Sequence, residues 1–300
     1  MISIIIPFHN EGENISKLVE EIKTSLKEEE FGYEVVLVND GSTDDFKNSL
    51  SKLLKDNKQV KLIDLPRRMG KGEALVRGLR ESIGEIIVFM DGDLQDDPND
   101  IARLYKKLDD KYDLVNGIRA KRQDNAVIKL YSVAGNYFLR SFVNSPIHDV
   151  NCGFKMFRRH ILDHVVLYAN NFRFLPIAAY YKGFRVTEIE VNNRPRLYGK
   201  SKFGITKPII GFIDTLTAYF LYQFSERPLH FFGVIGGAFF LTGFLISLYL
   251  SYERIFLGVL LYRRPMLQFA ILMIVIGIQI VMTGFIGELI VYVHKAKKNV

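Results

Sequence analysis

Two aspartates separated by one glycine, Asp91-Gly92-Asp93, follow directly on the apolar run Ile86-Ile87-Val88-Phe89-Met90. A run that short and that apolar predicts a strand buried on both faces, as in a parallel sheet. The carboxyl end of such a strand opens on a ligand crevice. Two carboxylates brought together there repel each other and lose hydration, which calls for a compensating cation. A hard divalent ion, Mg²⁺ or Mn²⁺, held partly by a substrate's phosphates, answers that need. The competing reading is a strand-to-loop turn in which Asp93 caps the next helix.

Other polar segments follow other apolar runs. Pro7-Phe8-His9-Asn10-Glu11 comes after Ile2–Ile6, Asn39-Asp40-Gly41-Ser42 after Tyr33–Val38, and Arg67-Arg68-Met69-Gly70-Lys71-Gly72 after Val60–Leu65. Gathered on one edge of one sheet, these loops and the aspartate pair describe a crevice for a base, a ribose, phosphates and a metal. Gly70-Lys71-Gly72 is no Walker motif, and Lys71 reads equally as a phosphate-binding residue or a solvated surface lysine.

The elements that must position these loops alternate in type. Between the apolar runs lie amphipathic helical patterns at 14–29, 45–54 and 73–82, the first with Ile15, Leu18, Val19, Ile22 and Leu26 on one face. A helix at 100–108 and a strand at 114–117 follow. That rhythm predicts an α/β fold, a doubly wound, Rossmann-like and mostly parallel sheet with right-handed crossovers.

Charge is unevenly spread over the 300 residues. From Leu229 to Tyr252 the only basic or acidic residue is His230, and from Met266 to Leu289 it is Glu288. Crossing a hydrocarbon core takes about 20 apolar helical residues, so spans are predicted at about 229–252 and 266–292. Both are rich in small residues, which let membrane helices pack closely. The mostly apolar stretch 206–227 predicts a helix lying in the interface plane, with packing on the soluble domain as the alternative. The expected division is a cytoplasmic domain at 1–205, an interfacial amphipathic helix at 206–227 and a two-helix membrane anchor at 228–300.

No basic n-region or cleavage site precedes the first strand, so the first ~200 residues are expected in the cytoplasm. Lys295, Lys297 and Lys298 after the second span put the C-terminus on the same side, although Arg254, Arg263 and Arg264 between the spans weaken that argument. The single Cys152 excludes an intramolecular disulfide. A net charge of +7 beside these spans favours anionic lipid head groups, and no nucleic-acid module is present. The basic cluster Arg194, Arg196, Lys200, Lys202 and Lys207 precedes the interfacial segment and reads as a phosphate clamp or as a solvated basic face. The stretch from Lys129 to Arg140 reads as an acceptor-side helix or as ordinary surface amphipathicity.

Five segments in order carry a family resemblance: Pro7…Asn10-Glu11, Val38-Asn39-Asp40-Gly41-Ser42-Thr43-Asp44, Asp91-Gly92-Asp93-Leu94-Gln95, Asp149…Gly153-Phe154-Lys155 and Arg196-Leu197-Tyr198-Gly199-Lys200-Ser201-Lys202. Over about residues 2–228 the chain resembles family 2 inverting glycosyltransferases of GT-A fold. Within them it resembles the polyprenyl-phosphate branch of dolichyl-phosphate mannose and glucose synthases and bacterial undecaprenyl-phosphate relatives. The resemblance implies that Pro7, Glu11 and Asp40 hold the base and ribose of a nucleotide-sugar donor. His9 would stack on the base, although many relatives have a different pair ending in Tyr at Phe8-His9. It implies Asp91 and Asp93 as metal ligands, Asp93 the more direct, with Gln95 completing the coordination; the usual middle Ala is here Gly92. Arg119 would lie near a donor or acceptor phosphate and Asp149 near the reacting centre. Arg196, Ser201 and Lys202 would belong to a basic loop over phosphates.

The expected activity is metal-dependent, inverting transfer of one hexose from UDP-glucose or GDP-mannose to a polyprenyl phosphate at the cytoplasmic membrane face. Catalysis would rest on Asp91, Asp93, Asp149 and Arg196, and substrate binding also on Lys71 and Arg140. A homo-oligomer is compatible with these features. The alternatives are a processive polysaccharide synthase and a non-catalytic membrane scaffold. The first is disfavoured because such enzymes carry a Gln-x-x-Arg-Trp motif, and this chain has no Trp. The second is disfavoured by the intact Asp91, Asp93, Asp149 and Arg196.

Overall fold

The computed structural model describes residues 1–119, 147–167, 171–195, 207–262 and 264–298. The described chain divides into two compact units, Met1–Ala218 and Tyr219–Val300.

The first unit is built on one seven-stranded sheet. Strands β1 (Ile2–Phe8), β2 (Tyr33–Asn39), β3 (Val60–Asp64) and β4 (Ile86–Phe89) alternate with helices α1 (Gly12–Ser25), α2 (Phe46–Asp56) and α3 (Lys71–Glu81). Helix α4 (Asp100–Lys111), strand β5 (Leu114–Arg119), strand β6 (Lys155–Arg158), helix α5 (Leu175–Tyr181) and strand β7 (Val186–Val191) follow. The sheet order is β3-β2-β1-β4-β6-β5-β7.

The sheet is mixed rather than purely parallel. Strand β6 lies between β4 and β5 and runs antiparallel to both, while β1–β2, β1–β4, β2–β3 and β5–β7 pair in parallel. Every strand but β6 therefore ends on the same edge, and β6 begins there. Its first residue, Lys155, stands in register with Phe89 of β4 and Asn116 of β5. This reversal brings the Asp149–Phe154 approach to β6 onto the edge where the other loops converge.

Both faces of the sheet are covered, which explains the near-continuous apolar character of β1, β2 and β4. Ile4, Ile6 and Phe8 share a buried cluster with Ile15, Leu18 and Ile22 of α1 and with Ile101, Leu104 and Leu108 of α4. On the opposite face α3 packs on β1 and β2, and Phe89 meets Phe157 edge-on at 5.0 Å between centroids. Each large side chain so buried contributes about 1.5–3 kcal/mol. Helix α1 stops at Ser25, short of the predicted residue 29. Leu26 still packs in the core, but Lys27-Glu28-Glu29-Glu30 has no apolar side chain to hold a further turn against the sheet.

A helix α6 (Lys207–Gln223) crosses the boundary between the units, and the second unit is a hairpin of α7 (Pro228–Phe256) and α8 (Pro265–Lys298). Both hairpin helices are long and apolar enough to cross a membrane. They meet backbone to backbone: a Cβ on Gly236 would lie 2.6 Å from the carbonyl oxygen of Gly277, and one on Gly243 the same distance from that of Ala270. Small side chains are what permit this approach. At one end of the hairpin a Glu288 carboxylate oxygen accepts the Leu229 N–H at 3.3 Å, satisfying an orphan amide of the first turn of α7. At the other end Glu253 pairs with Arg264.

Candidate active site

The loop after β1 and the loop after β2 are laced together. His9 Nδ1 lies 2.9 Å from the Asp40 carbonyl oxygen. The Asn10 N–H donates to Ser42 Oγ at 2.9 Å, and Asn10 Oδ1 accepts the Thr43 N–H at 2.8 Å. Asn10 has φ +57°, a left-handed conformation that Asn tolerates through local side-chain bonding of this kind. Asp44 accepts the Gly12 N–H at 3.0 Å, and Glu11 accepts from Asn14. Asn39, at the end of β2, donates to Asp64 at 2.6 Å and accepts the Ser42 N–H at 2.9 Å.

Asp40 is 5% exposed. Its carboxylate accepts the N–H groups of Met69 at 2.6 Å and Gly70 at 3.0 Å. One carboxylate thereby fixes the loop after β3 and aims the amino end of α3 into the crevice, a disposition suited to an anion.

Lys71, the first residue of α3, reaches across the edge and pairs with Asp91. The same ammonium lies 5.2 Å from the centre of the Phe172 ring. The Lys71 side chain is 33% exposed. Burial raises the Asp91 carboxyl, but Lys71 first, then Arg119 and Lys155, outweigh this and hold it below the usual carboxylate range. On its other side Asp91 is overhung by Gly153: a Cβ there would lie 3.0 Å from both carboxylate oxygens. A side chain at 153 would press on that carboxylate.

The turn beyond Asp91 is tightly drawn. Asp93 Oδ1 accepts the Gln95 N–H at 3.3 Å, Leu94 takes φ +62°, and Asp96 Oδ2 accepts the Asp91 N–H at 3.1 Å. A non-glycine residue in the left-handed region costs about 1–2 kcal/mol, and such strain persists where surrounding bonds over-determine it. Asp96 is buried; burial, reinforced by the charges of Asp91 and Asp93, raises it to about 7. Three carboxyl groups thus crowd one turn. Among the described residues no group of three or more His, Cys, Asp or Glu forms a complete metal cage. Asp91 and Asp93 would supply two ligands to a divalent ion, whose remaining shell would be waters and substrate phosphates.

A second cluster stands at the ends of β5 and β6. Arg119 holds Asp149 through two parallel bonds, Nε to Oδ2 at 2.9 Å and Nη2 to Oδ1 at 3.0 Å. Burial lowers the Arg119 pKa, and the Asp149 bond more than offsets this, so the guanidinium stays charged. Glu188 on β7 accepts the backbone N–H groups of Asp149 at 3.1 Å and His148 at 2.7 Å, and Asn116 donates to the Asp149 carbonyl at 2.9 Å. Lys155 is fully buried and donates to Asn116 Oδ1 at 3.0 Å, to the Val150 carbonyl at 3.4 Å and to the Cys152 carbonyl. Burial pushes the Cys152 thiol up to about 12, which leaves it without nucleophilic character at neutral pH.

Burial also pushes Lys155 down, to about 8. Between that value and the ordinary lysine value near 10.5 the unfolded chain binds the proton that the folded chain has released, so stability rises with pH across that window. The difference amounts to about 3 kcal/mol. Lys155→Met is expected to remove this rise, measured as the pH dependence of the unfolding midpoint of variant minus parent between pH 7.5 and 10.5. An unchanged slope contradicts the assignment.

The structure thus brings together Pro7, His9, Glu11, Asp40, Lys71, Asp91, Asp93, Gln95, Arg119 and Asp149 on the strand-end edge. Arg140, Arg196, Ser201 and Lys202 lie outside the described residues. Sequence reasoning did not single out Asn116, Asp96 or Glu188, whose positions become meaningful only when strands distant in sequence are paired. Lys155 was visible as part of Gly-Phe-Lys, but its burial was not.

The family model for glycosyl transferase family 2 matches residues 3–166. The chain belongs to glycosyl transferase family 2. Among its relatives, the dodecaprenyl-phosphate galacturonate synthase of Rhizobium johnstonii is 31% identical over 294 residues, covering 96% of this chain and 87% of the relative. The undecaprenyl-phosphate 4-deoxy-4-formamido-L-arabinose transferase of Proteus mirabilis is 32% identical over 292 residues, covering 96% and 88%. Both matches extend well beyond the residues that the family model covers. The crystal structure of Mycobacterium tuberculosis glucosyl-3-phosphoglycerate synthase with Mn²⁺ and UDP-glucose superimposes with a TM-score of 0.58 at 20% identity, covering 73% of this chain and 78% of that one. That likeness supports the GT-A fold of this family 2 glycosyltransferase.

Proposed function

We propose that this glycosyltransferase moves a single sugar from a nucleoside-diphosphate donor to a polyprenyl phosphate at a membrane surface, with inversion at the anomeric carbon. The observation that carries the reading is the convergence, on one sheet edge, of the Asp40-anchored α3 terminus, the Lys71–Asp91–Asp93 cluster and the Arg119–Asp149 pair. Relatives named for polyprenyl-phosphate products, alike over nearly the whole chain, support the lipid acceptor.

In this reading Pro7, His9, Glu11 and Asp40 face the nucleoside, with Asp40 acting through the loop it fixes. Asp91 and Asp93, with Gln95, would hold Mg²⁺ or Mn²⁺, which neutralises the diphosphate and makes it a better leaving group. Lys71, paired with Asp91 in the structure, would bind a donor phosphate were that carboxylate to hold the ion. Arg119 and Asp149 orient the acceptor. A phosphomonoester has a second pKa of about 6, so the attacking oxygen is already largely ionised near neutral pH and needs positioning more than a general base. Asp149 accordingly serves as an orienting group held by Arg119. Arg140, Arg196, Ser201 and Lys202 complete the phosphate contacts. Residues 206–227 form the interfacial element and 228–300 the membrane anchor, with the catalytic unit and both termini in the cytoplasm.

The donors to screen are UDP-glucose and GDP-mannose together with nucleotide-linked galacturonate and 4-deoxy-4-formamido-L-arabinose, the sugars of the relatives' names. Purified full-length protein in detergent, given a radiolabelled donor, Mn²⁺ and a polyprenyl phosphate, is expected to yield an organic-extractable, mild-acid-labile lipid carrying one sugar. A product with several sugars favours the processive synthase, and label that never enters the lipid phase with any donor overturns the reading.

A further inference from the structure

The turn that carries Asp91 and Asp93 is held from outside itself. Residues 192–194, directly after β7, run alongside it: Asp96 and Asn193 form an antiparallel bridge, and the Arg194 N–H donates to the Gln95 carbonyl at 2.8 Å. One residue earlier, the Asn192 N–H donates to Asp100 at 2.6 Å. Asp100 is itself buried and paired with Arg103 at the start of α4. The Arg194 guanidinium then closes the structure. One nitrogen lies 2.8 Å from Asp97 Oδ1 on the turn, and the other lies 2.6 Å from Glu21 Oε2 on α1.

An exposed ion pair is worth about 0–1 kcal/mol. This one differs in three respects. The Asp97 carboxylate is only 13% exposed. The pair adds to a main-chain bond between the same two segments. The guanidinium also joins two carboxylates from separate elements, so the turn is tied to a rigid helix. The tie lies where strain is stored: Leu94, with φ +62°, sits between Asp93 and the Gln95 whose carbonyl Arg194 holds. From Asp96, flanked by Gln95 and Asp97, the next bond runs to the Asp91 N–H.

We infer that Arg194 is a positioning residue that holds the Asp93–Asp97 turn in its strained form and so sets the separation of the Asp91 and Asp93 carboxylates for a divalent ion. The inference rests on the metal and diphosphate reading of that turn. Its signature is selective, because Arg194 lies behind the turn. Loss of the tie should weaken binding of the ion and leave the chemical step intact once the ion is bound.

The test uses full-length protein in detergent and the electron paramagnetic resonance signal of free Mn²⁺, titrated with UDP and in a parallel series with GDP. Arg194→Met is expected to raise the half-saturating Mn²⁺ concentration about tenfold. The unfolding midpoint without ligand should stay within a few degrees of the parent, and kcat at saturating Mn²⁺ within about twofold. Arg194→Lys, which can still reach Asp97, should recover much of the affinity. Asp97→Asn, which leaves Arg194 its Glu21 partner and main-chain bond, should weaken Mn²⁺ binding in the same direction, and it stands as the decisive variant if Arg194→Met does not fold. Parental Mn²⁺ affinity in a folded Arg194→Met or Asp97→Asn protein overturns the inference alone. A parent protein that binds no Mn²⁺ with either nucleotide overturns the inference and the metal reading beneath it.

Discussion

Asp91→Ala is expected to lower kcat/KM at least 10²–10³-fold, the range commonly seen when one electrostatic contributor to a developing charge is removed. The expectation follows from what surrounds the carboxylate. Asp91 carries one half of the proposed ion site, balances Lys71 and contributes to the charge that drives Asp96 up to about 7. Its removal therefore acts on three groups at once. The divalent ion loses a ligand, the Lys71 ammonium loses its partner, and the Asp96 carboxyl loses a repelling neighbour and ionises more readily.

Lys71→Met separates these effects. It removes the resident counter-ion but keeps both proposed ligands, so Mn²⁺ binding without nucleotide should tighten while the KM for the donor rises. Titration of free Mn²⁺ by electron paramagnetic resonance without nucleotide measures the first, and steady-state kinetics the second. If Asp91→Ala retains full activity, or if excess EDTA leaves the parent unaffected, the metal role of this turn is wrong.

The second large effect concerns the Arg119–Asp149 pair. Arg119→Met removes the bidentate partner of a buried carboxylate, a change that commonly costs about 3–5 kcal/mol. Asp149 stays in place in that variant through its backbone, held by Glu188 and Asn116. Stability should therefore fall by about that amount while the fold survives. The double variant Arg119→Met/Asp149→Asn is expected to recover most of the lost stability, because the side chain at 149 is then neutral. It should recover none of the activity, which is expected to stay down by about 10²-fold or more. Thermal unfolding in detergent gives the first quantity and the lipid-product assay the second. Recovery of turnover in the double variant would show that the pair is a structural brace with no part in orienting the acceptor.

The strand–helix alternation was readable because β1, β2 and β4 are buried on both faces and so are mostly apolar, with Ser3 and Glu34 as buried exceptions, while α1, α3 and α4 each show a helical period. The sheet's mixed character was not readable. Strand β6 is four residues long, Lys-Met-Phe-Arg, and begins with a lysine that sequence alone would send to solvent. That lysine is fully buried and meets three acceptors, two of them carbonyls just before it in the chain and the third, Asn116, supplied only when β5 pairs with β6. The same holds for Glu188 and Asn116, ordinary polar residues on paper that fix the Asp149 backbone once β5 and β7 pair in register.

By itself the sequence determined the chemistry that the chain can offer. It supplies an aspartate pair at a strand end, polar loops after successive strands, and two apolar stretches of membrane-spanning length. Residue type and local period carry that information, because each depends on neighbours only a few positions away. Tertiary structure alone decided which charges meet. Lys71 faces Asp91 across 20 positions of sequence, Arg119 faces Asp149 across 30, and Arg194 reaches Glu21 across 173. Electrostatic interaction falls with distance in space and is blind to distance along the chain. The balance of the aspartate cluster therefore exists only in the folded sheet.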